Sequence, residues 1–284
     1  MKKIYLFETR KLDFLKSYMD KVAGMGFEPV VLAADTLHGD KRFEAFKKAY
    51  VHLSPNSQAF EVNCFARYFA IARVHDSNDS FILSDSDIYV TGRLRELTSS
   101  SFGRDVFIGS EGFYEGGAEG QISPHFSIWN KALMEDFVAF VNAAYERDRE
   151  EHFLAALREE QEMKLGVGAI SDMTLLQMWV RQNKIPFINS NGSGDEFGID
   201  HNISALFGAD GPFKESLGRK AIALSGKDRL CCFLKSGKKM DMSVLHFQGG
   251  YKRILNDFYL GNQAKFLLFS MYINLGRKVN KMIR

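Results

Sequence analysis

Two short motifs hold side chains whose types and spacing could do chemistry. The first is Asp85-Ser86-Asp87, which follows directly on the mostly apolar Phe81-Ile82-Leu83-Ser84. In an extended segment, residues i and i+2 point the same way, so both carboxylates can face one cation. Like charges held together repel, and a divalent metal relieves that repulsion. Mg²⁺ and Mn²⁺ are commonly held by one or two carboxylates plus substrate phosphates. A solvated Asp-rich turn is the alternative. The second motif is His246-Phe247-Gln248-Gly249-Gly250-Tyr251-Lys252, where a histidine closes the strand signal Val244-Leu245. Imidazole suits Mn²⁺ as a third protein ligand. The two glycines let the backbone turn or approach a ligand closely, and the lysine is a compact point charge suited to a phosphate. The alternative is a core histidine, a Gly-Gly turn and a solvated lysine.

The elements that must position these motifs alternate strand and helix over the first ninety residues. Lys3–Thr9 reads as a strand, and Leu12, Leu15, Met19 and Val22 form a helical stripe over Leu12–Ala23, stopped by Gly24 and Gly26. Pro29–Ala33 reads as a buried strand and Ala49–Leu53 as another short one. Phe60, Cys64, Tyr68 and Ala72 recur at fourfold spacing, which predicts a long helix from about Ser57 to His75. Ser80–Leu83 is then a strand running into the aspartates. Such alternation implies a parallel sheet covered by helices, with ligands bound beyond the C-terminal ends of the strands. Further on, Leu133–Tyr145, Asp148–Met163 and Ser171–Gln182 read as helices, with Ser171 as an N-cap. Lys220–Ser225, Arg229–Leu234 and Ser243–Phe247 read as strands joined by Ser-Gly turns. The Gly-rich segments Glu111–Gly120 and Asn189–Asn202 read as flexible loops.

An early βαβ half, a DxD at a strand end and H-x-x-G-x-x-K near residue 250 together resemble the GT-A glycosyltransferases. Within that superfamily the chain looks most like glycosyltransferase family 8, the galactosyl- and glucosyltransferase type. The resemblance covers residues 1–255 and implies a Rossmann-like α/β fold with a mixed central sheet flanked by helices. It divides that domain into a nucleotide-sugar-binding half, 1–120, and an acceptor half, 121–255. It implies that Asp85, Asp87 and His246 bind Mn²⁺ or Mg²⁺ on the diphosphate of a nucleotide sugar, with a UDP-linked donor expected. Lys252 then lies on the leaving phosphate, with Gly249 lining the donor site. The activity implied is transfer of a hexose, with retention, to a saccharide or glycolipid acceptor in bacterial-type surface polysaccharide or lipooligosaccharide synthesis.

Further positions fit that resemblance. Asn63 and Arg67 lie four apart on the helix ahead of the DxD, on one face, and Arg67 matches the family's donor-binding arginine. A snorkelling surface arginine is the alternative. Asp172 opens a helix and matches an acceptor-side aspartate, although a first-turn aspartate is also simply a good dipole partner. Asp172 would also be the first suspect for a base if the reaction inverted configuration. His125 and Ser127 are candidates for sugar hydroxyl contacts, with a buried strand edge as the alternative. Asp195, Glu196, Asp200 and His201 are read as solvated loop residues.

Composition excludes several other classes. Of 284 residues 45% are hydrophobic and 25% charged, and the net charge is +2, so neither a disordered chain nor a strong nucleic-acid field is implied. Cys64, Cys231 and Cys232 form no metal-ligand spacing or disulfide framework. Neither a signal peptide nor a membrane span is read, so a cytoplasmic protein is expected. From Tyr251 to Arg284, however, seven basic residues face one acid, a net +6. There Leu268, Met271, Tyr272, Leu275, Val279, Met282 and Ile283 recur at helical spacing. This basic amphipathic tail, 256–284, suits peripheral attachment to the inner face of the cytoplasmic membrane; a helix packed on the domain is the alternative. A haloacid-dehalogenase-type phosphatase also sets DxD after an apolar strand, but near the domain start and with Thr or Val four residues on, where this chain has Tyr89. A nucleotidylyltransferase wants a Gly-rich loop where Phe7-Glu8-Thr9-Arg10 stands. A non-catalytic saccharide- or membrane-binding module is the non-enzymatic rival.

Overall fold

The computed structural model describes residues 2–98, 106–111, 121–165, 168–190, 198–204, 212–217, 219–226 and 228–262, with Lys265, Leu268, Met271 and Tyr272. Most of the Gly-rich loop at 111–120, the residues Asp195 and Glu196, and the tail from residue 273 onward lie outside the described residues.

The first third contains β1 (Lys2–Phe7), α1 (Leu15–Ala23), β2 (Phe27–Leu32), α2 (Lys41–Ala49), α3 (Gln58–Val74), β3 (Phe81–Ser84) and β4 (Ile88–Val90), of which α2 and β4 were not read from the sequence. The expected strand at Ala49–Leu53 is not formed. Ala49 is the last residue of α2, where Asp40 caps the N-terminus by accepting from the Arg42 and Phe43 amides, and Phe43 and Phe46 bury one face. Then come β5 (Phe107–Glu111), β6 (Ile122–Trp129), α4 (Lys131–Glu151), α5 (Phe153–Leu165), α6 (Asp172–Gln182) and β7 (Phe187–Asn189). The α4–α5 break falls at His152, whose φ of 52° ends the first helix in the left-handed region. Ser171 caps α6, as its sequence suggests. Short strands β8 (Glu215–Ser216) and β9 (Arg219–Lys220) precede β10 (Ile222–Gly226), β11 (Arg229–Phe233), β12 (Lys239–Met242), β13 (Val244–His246) and α7 (Leu255–Tyr259).

The central sheet has the order β2-β1-β3-β6-β5-β7. It is mixed rather than parallel throughout: β1 runs parallel to β2 and β3, but β6 runs antiparallel to both β3 and β5. Alternation along the strands divides the core between the two faces. Tyr5, Phe81, Leu83 and Trp129 face the cluster under α2, α3, α4 and α6, while Ile4, Leu6, Ile82 and Ile128 face α1 and β4. Helix α3 is buried all round from Phe65 to Ala72, as expected of a helix with no polar stripe. A third cluster, with Met242, Leu245 and Phe258, packs the β10-β11-β12 sheet against the C-terminal elements. Strand β13 does not continue that sheet, contrary to the chain-order expectation; it pairs antiparallel with β4.

Candidate metal and phosphate site

The Asp-Ser-Asp segment joins the central sheet to the β4–β13 ribbon. The Asp85 amide donates to the His125 carbonyl at 2.7 Å, continuing the β3–β6 ladder, and the Phe247 amide donates to the Asp87 carbonyl at 2.8 Å, continuing the β4–β13 ladder. Side chains alternate as an extended segment requires. Ser86 points away and donates to Glu8 Oε2 at 2.7 Å, while Asp85 and Asp87 turn to the other side. There one ligand atom each from Asp85, Asp87 and His246 lies within 4.8 Å of the others. This is the only such group among the described residues.

His246 is held with one ring nitrogen toward the carboxylates. A carbonyl can only accept, so Nδ1 donates to the His201 carbonyl at 2.7 Å and Nε2 is left facing Asp87 Oδ1 at 3.4 Å. Anchoring of one ring nitrogen by a backbone carbonyl is the usual support of a metal-ligating imidazole. After β13, Gly249 takes φ +64°, a conformation that favours glycine, and an added Cβ there would meet nothing within 4 Å. The requirement is therefore for the turn and not for space. That turn brings Lys252 back so that its Nζ lies 2.7 Å from Asp87 Oδ2, with its side chain 39% exposed.

Burial pushes the Asp85 carboxyl pKa up, and neighbouring Asp87 adds to this against the pull of Arg67. Burial would raise Asp87 as well, but His246 and Lys252 reverse it and hold that carboxyl well below the usual range. Burial disfavours the imidazolium of His246, yet Asp87 and Asp85 raise its pKa above the ordinary value. The site is thus a paired-carboxylate environment that gains from a cation. Two carboxylates and an imidazole are a donor set that fits Mn²⁺ or Mg²⁺.

Arg67 extends the site into the core. It bridges Asp85 (Nη1 to Oδ1, 2.6 Å) and the buried Asp172, which also accepts from Tyr68 Oη at 2.9 Å and from the Met173 amide at 2.9 Å. Arg67 is not the snorkelling surface arginine that its sequence alone allowed: it is 9% exposed, and its Nε has no hydrogen-bond partner among the described residues. Asn63, one turn earlier, is exposed.

The structure does not give His125 and Ser127 free polar atoms. Both are buried on β6. His125 Nε2 donates to the Asp200 carbonyl at 2.7 Å, which leaves Nδ1 to accept from Ser123 Oγ at 2.9 Å. Ser127 Oγ donates to the Pro124 carbonyl and accepts from Trp129 Nε1. Asp200 and His201, expected in a solvated loop, are a second correction. Asp200 is fully buried against Lys220, and His201 Nδ1 is buried without a partner among the described residues. The Glu8–Arg10 pair at the end of β1 was also not read from the sequence. Glu8 takes the Arg10 guanidinium on both oxygens (2.8 and 2.9 Å) while accepting from Ser86, which ties the first strand's end to the DxD loop.

No protein-family model and no curated protein matches the chain. Several solved structures are similar to it. A galactosyltransferase, LgtC, solved with donor and acceptor sugar analogs, is 14% identical with a TM-score of 0.46, over 91% of this chain and 95% of that one. A glycosyltransferase involved in glycosylation of the major capsid of PBCV-1 is 10% identical with a TM-score of 0.40, over 90% and 97%. Mouse xyloside xylosyltransferase 1 is 13% identical with a TM-score of 0.39, over 66% and 71%. At these identities and scores the likenesses are remote, and what the site can do is decided by its own residues.

Proposed function

We propose that the protein is a metal-dependent glycosyltransferase that moves a hexose, with retention, from a UDP-linked sugar to a saccharide or glycolipid acceptor. The observation that carries this reading is the convergence of Asp85, Asp87 and His246 within 4.8 Å, with Lys252 at its edge. Breaking the anomeric bond leaves negative charge on the departing diphosphate. A divalent cation held by the three ligands supplies Lewis-acid stabilisation of that charge. Lys252, on a turn and partly exposed, supplies a second positive charge from the protein itself. Asn63 and Arg67 line the donor side, with Arg67 compensating the charge of Asp85. Asp172 holds Arg67 from behind. Its lone pairs are directed at Arg67, Tyr68 and the Met173 amide, an arrangement suited to orienting a guanidinium and ill suited to a base, which agrees with retention. Residues 1–120 would form the nucleotide-sugar half and 121–255 the acceptor half.

No helix among the described residues is long and apolar enough to cross a membrane. Leu268, Met271 and Tyr272 are exposed on the first part of the tail. That exposure supports an enzyme attached peripherally to an anionic surface by the tail beyond α7, whose Phe258 and Tyr259 pack on the domain, in order to reach a lipid-linked acceptor.

A thermal-shift panel of UDP, GDP, CDP and ADP, each with and without Mn²⁺, tests the reading. At a hundred times Kd, a ligand stabilises the native state by about 2.7 kcal/mol, which for a chain of this size is a rise of about 4.5 °C in Tm. A rise with UDP that requires Mn²⁺ is expected. No shift with any nucleotide overturns the proposal.

A further inference from the structure

We propose that the buried Asp200–Lys220 ion pair is a positioning device for His246; the inference rests on the reading of His246 as a metal ligand. Asp200 and Lys220 are both fully buried, and Nζ lies 2.5 Å from Oδ1. Isolated charges are costly in such a place, and a buried pair persists when it satisfies further groups in a fixed arrangement. Asp200 does so chiefly around one residue, its Oδ1 also accepting from the Asn202 amide at 3.3 Å. Its Oδ2 accepts from the His246 amide at 3.1 Å. Its carbonyl accepts from Nε2 of His125, whose ring stacks on that of His246 with centroids 4.4 Å apart and planes at 5°. The next carbonyl, of His201, fixes His246 Nδ1. The backbone around the pair is registered to the same strand: the Asp200 amide donates to the Val244 carbonyl at 3.0 Å and the Ile203 amide to the His246 carbonyl at 2.9 Å. The ring plane and Nδ1–H of His246 are therefore set by residue 201 and by a ring that residue 200 holds, and its main chain is shared among Asp200, Ile203 and strand β4.

A carboxylate is needed at position 200 because it accepts only. An asparagine of the same shape must turn its NH₂ toward either the Lys220 ammonium or the His246 amide, and each is a donor facing a donor. Lys220 in turn cancels the charge of Asp200, so these lone pairs are supplied without a further net anion behind the two metal carboxylates.

The test uses the full chain with Mn²⁺ alone, its affinity read by electron paramagnetic resonance of the free ion. Tm and the ¹⁵N imidazole spectrum of the metal-free protein are recorded alongside. D200N and K220M are compared with wild type and with L230A, a cavity variant in the small β10-β11-β12 sheet. The expected result is a loss of Mn²⁺ affinity of about 10–100-fold in D200N and K220M, the size usual for outer-shell changes. At an alkaline pH where the ring is neutral, the His246 imidazole is also expected to lose its single Nδ1–H tautomer in both, while L230A lowers Tm and leaves affinity and tautomer unchanged. Unchanged affinity and tautomer in D200N and K220M despite a lowered Tm overturns the proposal in favour of a purely structural pair, as does failure of both variants to fold. Absence of Mn²⁺ binding by wild type instead refutes the metal reading itself, and the positioning role with it.

Discussion

Replacing Arg67 by methionine is the most direct probe of the charge network behind the site. The substitution keeps much of the aliphatic stem and removes the guanidinium that bridges Asp85 and Asp172. The side chain of Asp172 is only 4% exposed, so its charge is stranded, whereas Asp85 at 32% can recover hydration. Breaking a buried pair by removing one partner costs about 3–5 kcal/mol. The bonds from Tyr68 and the Met173 amide remain, which places R67M at the low end, about 3 kcal/mol. An unfolding entropy of about 2.1 cal/mol/K per residue gives about 0.6 kcal/mol/K for the chain, hence a fall of about 5 °C in Tm. D172N leaves Arg67 paired with Asp85 and should cost about 1.5–3 kcal/mol, the loss of a charged hydrogen bond. The double variant no longer strands a buried carboxylate at position 172, so its loss should fall short of the sum of the two singles by about 1–3 kcal/mol. Differential scanning fluorimetry and urea unfolding of the four proteins give the cycle. An R67M protein melting within about a degree of wild type, or losses that simply add, would refute the bridging role.

Other substitutions separate binding from chemistry. D87A should abolish the Mn²⁺-dependent thermal shift and reduce sugar transfer by on the order of a hundredfold or more, with far-ultraviolet circular dichroism unchanged; full transfer activity removes the metal assignment. K252A should keep Mn²⁺ binding and lower kcat by about 10²–10³, measured as nucleoside diphosphate release under saturating donor. Stability should also depend on His75, which lies away from the site. Its Nε2 donates to the Asp79 carbonyl and its Nδ1 accepts from the Tyr5 hydroxyl, and burial lowers its pKa below 6.5. Below that pH the unfolded chain binds a proton that the fold resists, so stability is lost as pH falls. H75Q should flatten the slope of unfolding free energy between pH 7 and 5, and an unchanged slope counts against it.

The three residues proposed to hold a metal were legible because each announces itself locally. Asp85 and Asp87 follow an apolar strand with the parity that puts both on one side, and His246 ends a strand three residues before a glycine and six before a lysine. Asp200 was not legible for the opposite reason. It sits in Asn-Ser-Asn-Gly-Ser-Gly-Asp-Glu-Phe-Gly-Ile-Asp-His-Asn, whose composition is that of a solvated loop, and its partners lie 20 and 46 residues away. For His125 and Ser127 on β6 the sequence left sugar contacts and a buried strand edge both open, and the side-chain and carbonyl partners that consume them decide for the strand edge. Strand β4 escaped notice because three residues carry no periodicity of their own; β13 makes Ile88–Val90 a strand. Helix α2 did have its signals, an Asp40 cap and Phe43 and Phe46 at helical spacing, overshadowed by the β-like run Ala49–Leu53 just after it.

The β4–β13 ribbon also sets when the site can exist. Asp87 and His246 are 159 positions apart along the chain, and the ladder that joins their strands cannot form until the later one has left the ribosome. At a synthesis rate of about 5–20 residues per second, that interval is about 8–30 s. Until then no strand can pair with β4 as β13 does, and neither His246 nor Lys252 is present to compensate Asp87. Closing so long a loop is entropically slow, so metal-binding competence should be among the last properties this chain acquires, well after the β1-β2-β3 half has collapsed.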